Sequence, residues 1–276
     1  MKNQNSSNPN LSIGIIADLQ YCDADPEMNR YFRNAPQKLS KVTEKFNTHK
    51  LDFVVNLGDT IDHDWQSFDG ILPLFQKLQA PVYHVLGNHD YEVKDEFKPL
   101  VHEKIGTKKY FDFSAKNWRF VVLDGNEIST YANIENTINH QLAEDCLKQQ
   151  MINSNFWNGG IGKHQLSWLE QQLIDADQKQ ENVIIFCHFP VYPAHRHNLL
   201  NDIEVLQLLE KYNGVKAWIS GHNHDGNYGC RNDIHFINMK GMVDFESQLA
   251  FSIIEFDEKR INIVGFGNEI SAKLVI

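Results

Sequence analysis

The chain has 276 residues, of which 42% are hydrophobic, and its 26 basic and 36 acidic side chains give a formal net charge of −10. This length allows a large buried core, while the acidic balance and the lack of a basic run argue against non-specific nucleic-acid binding. No apolar stretch approaches the roughly 20 residues that cross a bilayer. We therefore expect a cytoplasmic protein without a nucleic-acid, membrane or obligate protein partner.

Residues 1–10 are polar and rich in Asn and Ser, which predicts a flexible tail rather than a signal peptide. The first half of the chain then alternates strand and helix. The predicted elements are strands at 11–17, 52–57, 81–86, 109–113 and 118–123, and helices at 29–48, 66–78 and 95–105. The βαβαβ order predicts a mostly parallel sheet covered by helices, and the final hairpin makes that sheet mixed.

The second half begins with its least regular part, residues 125–162, which we interpret as an insertion near the active rim. Beyond it the chain alternates again and then becomes rich in strands. The predicted elements are helices at 137–151, 164–178 and 202–212, and strands at 183–186, 215–220, 228–231, 235–239, 248–256 and 260–266. The complete order predicts an α/β fold, a four-layer αββα sandwich with two mixed sheets flanked by helices.

Five segments that follow predicted strands carry side chains of the kinds that bind metal ions. They are Asp18-Leu19-Gln20, Gly58-Asp59, Gly87-Asn88-His89-Asp90, Cys187-His188-Phe189-Pro190 and Gly221-His222-Asn223-His224. Because strand ends place these loops on one rim, we expect their side chains to meet. The segments span most of the chain without a Pro/Gly/Ser-rich linker, which predicts a single domain over residues 1–276.

Two divalent cations held close together need a carboxylate between them and further oxygen or nitrogen ligands around each. Asp59 suits the bridging position. One cation would then be bound by Asp18, Gln20, Asp59 and His224, and the other by Asp59, Asn88, His188 and His222. His222 and His224 point to opposite sides of an extended strand, but a tight loop after Gly221 lets both face the metals.

The order of the five segments resembles that of the calcineurin-like metallophosphoesterase superfamily: D-x-H, G-D, G-N-H-D/E, H and G-H-x-H. The resemblance covers residues 13–226, with Gln20 in place of the first histidine. An amide oxygen is a harder and weaker ligand than imidazole, which favours manganese or magnesium at that position. Gln20, with Tyr21 and the cluster Arg30-Tyr31-Phe32-Arg33, resembles the manganese-dependent ADP-ribose/CDP-alcohol diphosphatases.

This resemblance implies two divalent metal ions per chain, with manganese foremost and iron, zinc or magnesium as alternatives. It implies a small nucleoside diphosphate-type substrate, such as ADP-ribose or a CDP-alcohol, whose diphosphate linkage is cleaved by a metal-bridging hydroxide. His89, which is assigned to neither metal, is expected to stabilise the phosphoryl oxygens or to protonate the leaving oxygen. Asp90 is expected to orient His89.

Five further residues are candidates for substrate binding. They are Tyr21, Arg30, Arg33, His195 and Arg196. The two arginines near residue 30 have an alternative as the solvated face of a helix, and the segment around His195, which includes His197, as an exposed polar loop. Asp62 and Asp64 are expected to cap a turn or to contact ligands rather than to bind metal.

Two other functions remain open at this point. A phosphodiesterase for cyclic nucleotides or glycerophosphodiesters would share every metal ligand, and a non-catalytic scaffold could keep the fold. The four cysteines, Cys22, Cys146, Cys187 and Cys230, have no CxxC spacing. We therefore predict neither a zinc–thiolate site nor a disulfide framework, and expect buried free thiols.

Overall fold

The computed structural model describes residues 11–276, so the predicted tail at 1–10 lies outside the described residues. The strands are β1 (Leu11–Ile16), β2 (Phe53–Asn56), β3 (Val82–His84), β4 (Phe111–Ala115), β5 (Trp118–Val122), β6 (Asn182–Phe186), β7 (Val215–Ser220), β8 (Asn227–Arg231), β9 (Ile234–Asn238), β10 (Ala250–Phe256), β11 (Arg260–Gly267) and β12 (Ala272–Val275). The helices are α1 (Ala35–Asn47), α2 (Ser67–Phe75), α3 (Val101–Ile105), α4 (Ile138–Lys148), α5 (Lys163–Lys179) and α6 (Asp202–Leu209).

The strands form two six-stranded sheets. The first has the order β12-β11-β10-β1-β2-β3, and the second has the order β4-β5-β6-β7-β9-β8. Strands β1, β2 and β3 are parallel to one another, as are β5, β6, β7 and β9, and antiparallel partners complete each sheet. Both sheets are therefore mixed, as the sequence predicts.

The two sheets pack face to face through apolar side chains that alternate along the strands. Ile13 and Ile15 of the first sheet share one buried cluster with Phe120 and Ile184 of the second. Helices cover the outer faces, where Leu39 and Val42 of α1 and Leu169 and Leu173 of α5 are buried. The predicted αββα sandwich is confirmed. The single domain stays a prediction, which this shared core supports.

Some predicted boundaries are wrong. The first helix begins at Ala35 rather than near residue 29, because Pro36 has no N–H to continue a helix from the preceding turn. Pro99 similarly limits the helix predicted at 95–105 to a short 3₁₀ turn followed by α3. Strand β12 was not predicted, because it is a short, partly exposed edge strand with little alternation. Among residues 11–276, no helix is both long enough and apolar enough to cross a membrane.

Candidate metal centre and substrate cavity

The backbone adopts left-handed conformations at the ends of three strands. Asp18 has φ 52°, Asp59 has φ 50° and His222 has φ 67°, and Gln20 follows with φ 45°. Such angles are uncommon for residues other than glycine, and each costs on the order of 1–3 kcal/mol unless the surroundings impose it. These four residues are predicted metal ligands, although positive φ also occurs at other residues such as Met28 and Lys116.

Asp59 lies at the centre of the site and is almost completely buried. Its Oδ2 is 3.2 Å from His188 Nε2 and 3.2 Å from Gln20 Nε2, while Asn88 Oδ1 is 3.2 Å from the same His188 nitrogen. Ligand atoms of Asp59, His188 and His222 lie within 4.8 Å of one another. Burial acts to raise the pKa of Asp59, but the charges of His188 and His89 outweigh it and hold that pKa well below its ordinary value.

Asp18 and His224 complete the opposite side of this cluster. The backbone N–H of His222 donates to both carboxylate oxygens of Asp18, at 3.1 and 3.2 Å. His224 Nε2 is 3.6 Å from Asp18 Oδ1 and 3.3 Å from the amide of Gln20. The structure therefore brings all seven predicted ligands together, although their role as ligands stays a prediction.

The orientation of the three histidines fits bound metal ions. His188 Nδ1 donates to the Leu57 carbonyl at 2.9 Å, and His224 Nδ1 donates to the Asp244 carboxylate at 3.1 Å. The outward nitrogen of His222, Nε2, is 2.9 Å from Asn158 Oδ1. With one nitrogen of each ring occupied by an acceptor, the lone pair of the other faces the cluster, as in metal-bound histidines.

Glycines let the ligand segments approach closely. A Cβ on Gly87 would lie 2.1 Å from Asp59 Oδ1, and a Cβ on Gly221 would lie 2.7 Å from Asp18 Oδ2. Both distances are far inside van der Waals contact. Only glycine at these two positions leaves the carboxylates where they are.

A buried lysine on α1 fixes the segment beneath His224. The Lys38 ammonium donates to the carbonyls of Met242 at 2.7 Å, Asp244 at 3.0 Å and Phe245 at 2.6 Å. This segment carries the Asp244 carboxylate that orients His224. Lys38 of the first helix thus helps to position His224 through the loop between β9 and β10.

His89 is oriented by Asp62, and the prediction that Asp90 orients it is wrong. His89 Nδ1 lies 3.1 Å from the Asp62 carbonyl and 3.3 Å from its Oδ1. The carboxylate of Asp90 instead accepts backbone N–H groups of Asp59, Thr60 and Gly87 at 2.8–3.1 Å. Four buried donors, with Ile61 the weakest at 3.3 Å, leave its oxygens no place for a side-chain partner.

A cavity of about 400 Å³ opens above the buried cluster. Its lining combines metal-centre residues with cationic and aromatic side chains from the surrounding loops, among them Arg30, Phe156, Trp157, Arg196 and His197. The Arg196 guanidinium lies 5.0 Å from the centre of the Trp157 ring. Cationic and aromatic side chains above the buried cluster suit a ligand that carries both phosphate and a flat ring.

The sequence of the chain matches a known protein family. The sequence profile described as calcineurin-like phosphoesterase matches residues 11–226. The chain belongs to that family. This confirms the family resemblance predicted from the five segments.

Named relatives of this phosphoesterase are similar along nearly their whole length. A manganese-dependent ADP-ribose/CDP-alcohol diphosphatase of Arabidopsis thaliana is 31% identical, with 93% of this chain and 94% of that protein aligned. The human protein of the same name is 26% identical over 95% and 92%. The crystal structure of a dimetal phosphatase from Danio rerio superposes with a TM-score of 0.89 at 26% identity, covering 97% and 99%. Family and relatives identify the chain as a metal-dependent hydrolase.

Not all predicted substrate contacts of this phosphoesterase lie in the cavity. Arg30 and Arg196 line it. The Tyr21 ring packs against Gly70, where a Cβ would lie 2.5 Å from the ring, and Arg33 pairs with Asp23 and Asp25 at the surface. His195 stacks on His197, with ring centroids 5.2 Å apart, and is not part of the lining.

The segment 125–162 was predicted to lie near the site, but three of its residues that contact the site were not among the predicted site residues. Phe156 and Trp157 line the cavity, and Asn158 contacts His222. The amide of Asn158 also donates to the carbonyls of Asn153 and Arg196, which fixes the direction of its oxygen. Their sequence signal is the aromatic pair directly before Asn158 and two glycines, which on its own equally suits a turn.

Proposed function

We propose that this chain cleaves the diphosphate linkage of ADP-ribose, CDP-alcohols or related nucleoside diphosphate compounds, using two divalent cations of which manganese is foremost. The observation that carries the proposal is the buried cluster around Asp59, His188 and His222. Its histidines are oriented for metal binding, and similar proteins are named for this activity and for manganese.

The cavity supports a nucleotide-derived substrate. Arg30 and Arg196 provide guanidinium groups for phosphate oxygens, and Trp157 provides an aromatic face for a base. The cavity volume of about 400 Å³ is in the range of small-molecule sites. A flat base next to a charged diphosphate would use both kinds of lining.

The catalytic steps divide between bound cations and side chains. The cations would supply an acidified water and neutralise negative charge on the phosphoryl oxygens. Asp59 and Asp18 would supply negative charge that balances the cations, and His89, which lines the cavity, would donate a proton to the leaving oxygen. Because the backbone and carboxylate of Asp62 occupy His89 Nδ1, Nε2 is the nitrogen that can reach the leaving oxygen.

A substrate panel tests this proposal. Purified protein incubated with Mn²⁺ should release AMP from ADP-ribose and CMP from CDP-choline, detected by ion-exchange chromatography. Chelation should abolish the release, and added Mn²⁺ should restore it. Cleavage of cyclic AMP or of a glycerophosphodiester without any cleavage of ADP-ribose would replace the proposal by the phosphodiesterase. Failure on every substrate with two bound metals per chain would favour the scaffold.

We also propose that this activity is cytoplasmic. All four cysteines are free, including the exposed Cys230. Free thiols at scattered positions are typical of a reducing compartment. Fractionation of cells that express a tagged full-length chain checks this location, and recovery with secreted proteins would contradict it.

A further inference from the structure

A second group of metal-binding side chains lies beside the metal centre and shares none of its seven residues. It consists of Cys22, Asp62 and His63, and one ligand atom from each lies within 4.8 Å of the others. A parallel bridge between Tyr21 and Ile61 joins the two segments, and the Asp62 N–H donates to the Tyr21 carbonyl at 3.1 Å. The backbone thus sets Cys22 opposite Asp62.

The donor set of this group is sulfur, oxygen and nitrogen. Zinc accepts all three, whereas manganese, magnesium and calcium favour oxygen. Cys22 is 1% exposed, so its Sγ is held inside the fold rather than in solvent. Asp62 Oδ2 lies 2.7 Å from His63 Nδ1, and the exposed Asp64 lies 3.5 Å from the other nitrogen of that ring.

The local charges also favour a cation. Cys22 is a free thiol, and its proton must leave before its sulfur binds a metal ion. A zinc ion replaces that proton, which leaves to solvent, and the resulting thiolate becomes a ligand. Arg33 pairs with Asp23 and Asp25, and Arg30 lies 3.4 Å from the Oδ1 of Asp62, so the oxygen of Asp62 next to His63 is the other one, Oδ2.

The two oxygens of Asp62 face different partners. Oδ2 is beside His63, whereas Oδ1 is 3.3 Å from His89 Nδ1 and 3.4 Å from Arg30. Both of these partners line the cavity. Asp62 is therefore a direct link between the cysteine-containing group and the wall of the substrate cavity.

We propose that Cys22, Asp62 and His63 form an additional zinc site, distinct from the two-metal centre, and that zinc bound there inhibits the enzyme. Zinc bound to Asp62 neutralises the carboxylate that contacts His89 and Arg30, so both side chains are held less firmly. The inhibition rests on the proposed hydrolase function. The binding of zinc does not.

Cobalt spectroscopy tests the site without using activity. The full chain is first loaded with Mn²⁺ and then titrated with Co²⁺, which reports a thiolate ligand by a sulfur-to-cobalt charge-transfer band in the near ultraviolet. The predicted ligands of the two-metal centre are oxygen and nitrogen atoms, so that centre gives no such band. We expect the band in the wild type and in Cys230→Ser, its loss in Cys22→Ser, and its loss when Zn²⁺ displaces the cobalt.

Activity measurements then test whether zinc bound at this site inhibits the enzyme. Cys22→Ser and the half-exposed His63→Asn should keep hydrolysis with Mn²⁺ but should require at least about tenfold more Zn²⁺ for half inhibition, because weakening a metal site costs about 10–100-fold in affinity. His63→Asn also decides the question if Cys22→Ser does not fold.

The outcomes are separable. No charge-transfer band in the wild type, or a band that persists in Cys22→Ser, overturns the zinc site. A band with equal zinc inhibition of wild type and variants overturns the regulation alone. Absence of hydrolysis by the Mn²⁺-loaded wild type overturns the proposed function, and the absorption result still decides whether zinc binds.

Discussion

The floor of the cavity is made of almost fully buried side chains at strand ends, whereas its wall is made of partly exposed side chains from loops. Asp59 and Asn88 on the floor are 1% and 3% exposed, while Phe156 on the wall is 68% exposed. Buried groups are held by backbone contacts that exist before any substrate arrives. We therefore expect substitutions on the floor to lower kcat and substitutions on the wall to raise KM.

The largest effect is expected from removing the central charge of the floor. Asp59→Asn should lower kcat by at least about 10³-fold, because loss of even one transition-state interaction costs about 10²–10³-fold. Asp69→Asn, an exposed aspartate on α2 that pairs with Lys104, is the matched control and should retain wild-type turnover. Steady-state kinetics with metal analysis checks both, and an Asp59→Asn enzyme with normal kcat would break the distinction between floor and wall.

Crowding the floor without changing a ligand should be the next largest effect. Gly87→Ala places a Cβ 2.1 Å from Asp59 Oδ1, so metal content and kcat should both fall, with about 1–3 kcal/mol lost from the free energy of unfolding. Gly106→Ala is the control, since its φ of +80° makes it strained but nothing lies within 4 Å of the new Cβ. Denaturation should show both variants less stable, whereas metal loss should be confined to Gly87→Ala.

His89 stands between floor and wall. His89→Asn should lower kcat by about 10²–10⁴-fold with metal content unchanged, because general acid catalysis is lost while the seven predicted ligands stay in place. The exposed His49→Asn serves as the control. A substrate with a good leaving group, such as a nitrophenyl ester, should recover much of the lost rate. Equal loss on that substrate would assign His89 to phosphoryl binding instead of proton donation.

Loss of an aromatic wall residue should act on binding. Trp157→Ala should raise KM by roughly tenfold with kcat nearly unchanged, because stacking of a base on an aromatic ring is worth about 1–3 kcal/mol. Trp157→Phe keeps a ring and should restore most of the affinity. A fall in kcat with unchanged KM would show that this loop belongs functionally to the floor.

The smallest expected effect is a difference in KM between variants of two arginines that lie three residues apart in the sequence. Arg30 lines the cavity, while Arg33 pairs with two exposed aspartates. Arg30→Ala should raise KM several-fold, whereas Arg33→Ala should leave KM unchanged and alter stability by less than about 1 kcal/mol. Kinetics and thermal denaturation measured side by side decide this, and equal KM values for the two variants would contradict it.

The floor could be predicted from the sequence because its chemistry and its geometry have local causes. Asp18, Asp59 and Asn88 follow the ends of β1, β2 and β3 by two to four residues, so the strand order brings the side chains to one edge. The parallel pairing of β1 with β2 and of β2 with β3 places the carboxyl ends of the three strands next to one another. The pattern of strands was likewise enough to predict the two mixed sheets.

The wall could not be predicted in the same way, because loop side chains are directed by contacts between distant segments. Tyr21 was expected in the cavity, but the bridge to Ile61 turns its ring toward α2. Trp157 enters the cavity because Asn158 donates to the Arg196 carbonyl, 38 residues away. Asp62 replaces Asp90 as the partner of His89 for a similar reason, since a carboxylate next to several backbone N–H groups is captured by them.

Lys38 provides a fixed positive charge beside the candidate metal centre. Its ammonium gathers the carbonyls of residues 242–245 much as a bound potassium ion would, but it is covalently attached to α1 and cannot dissociate. We therefore expect the segment that supports His224 to keep its position whether or not metal ions are bound. Metal ions would then leave and return without refolding of this side of the site, so activity lost to a chelator should recover as fast as metal is supplied.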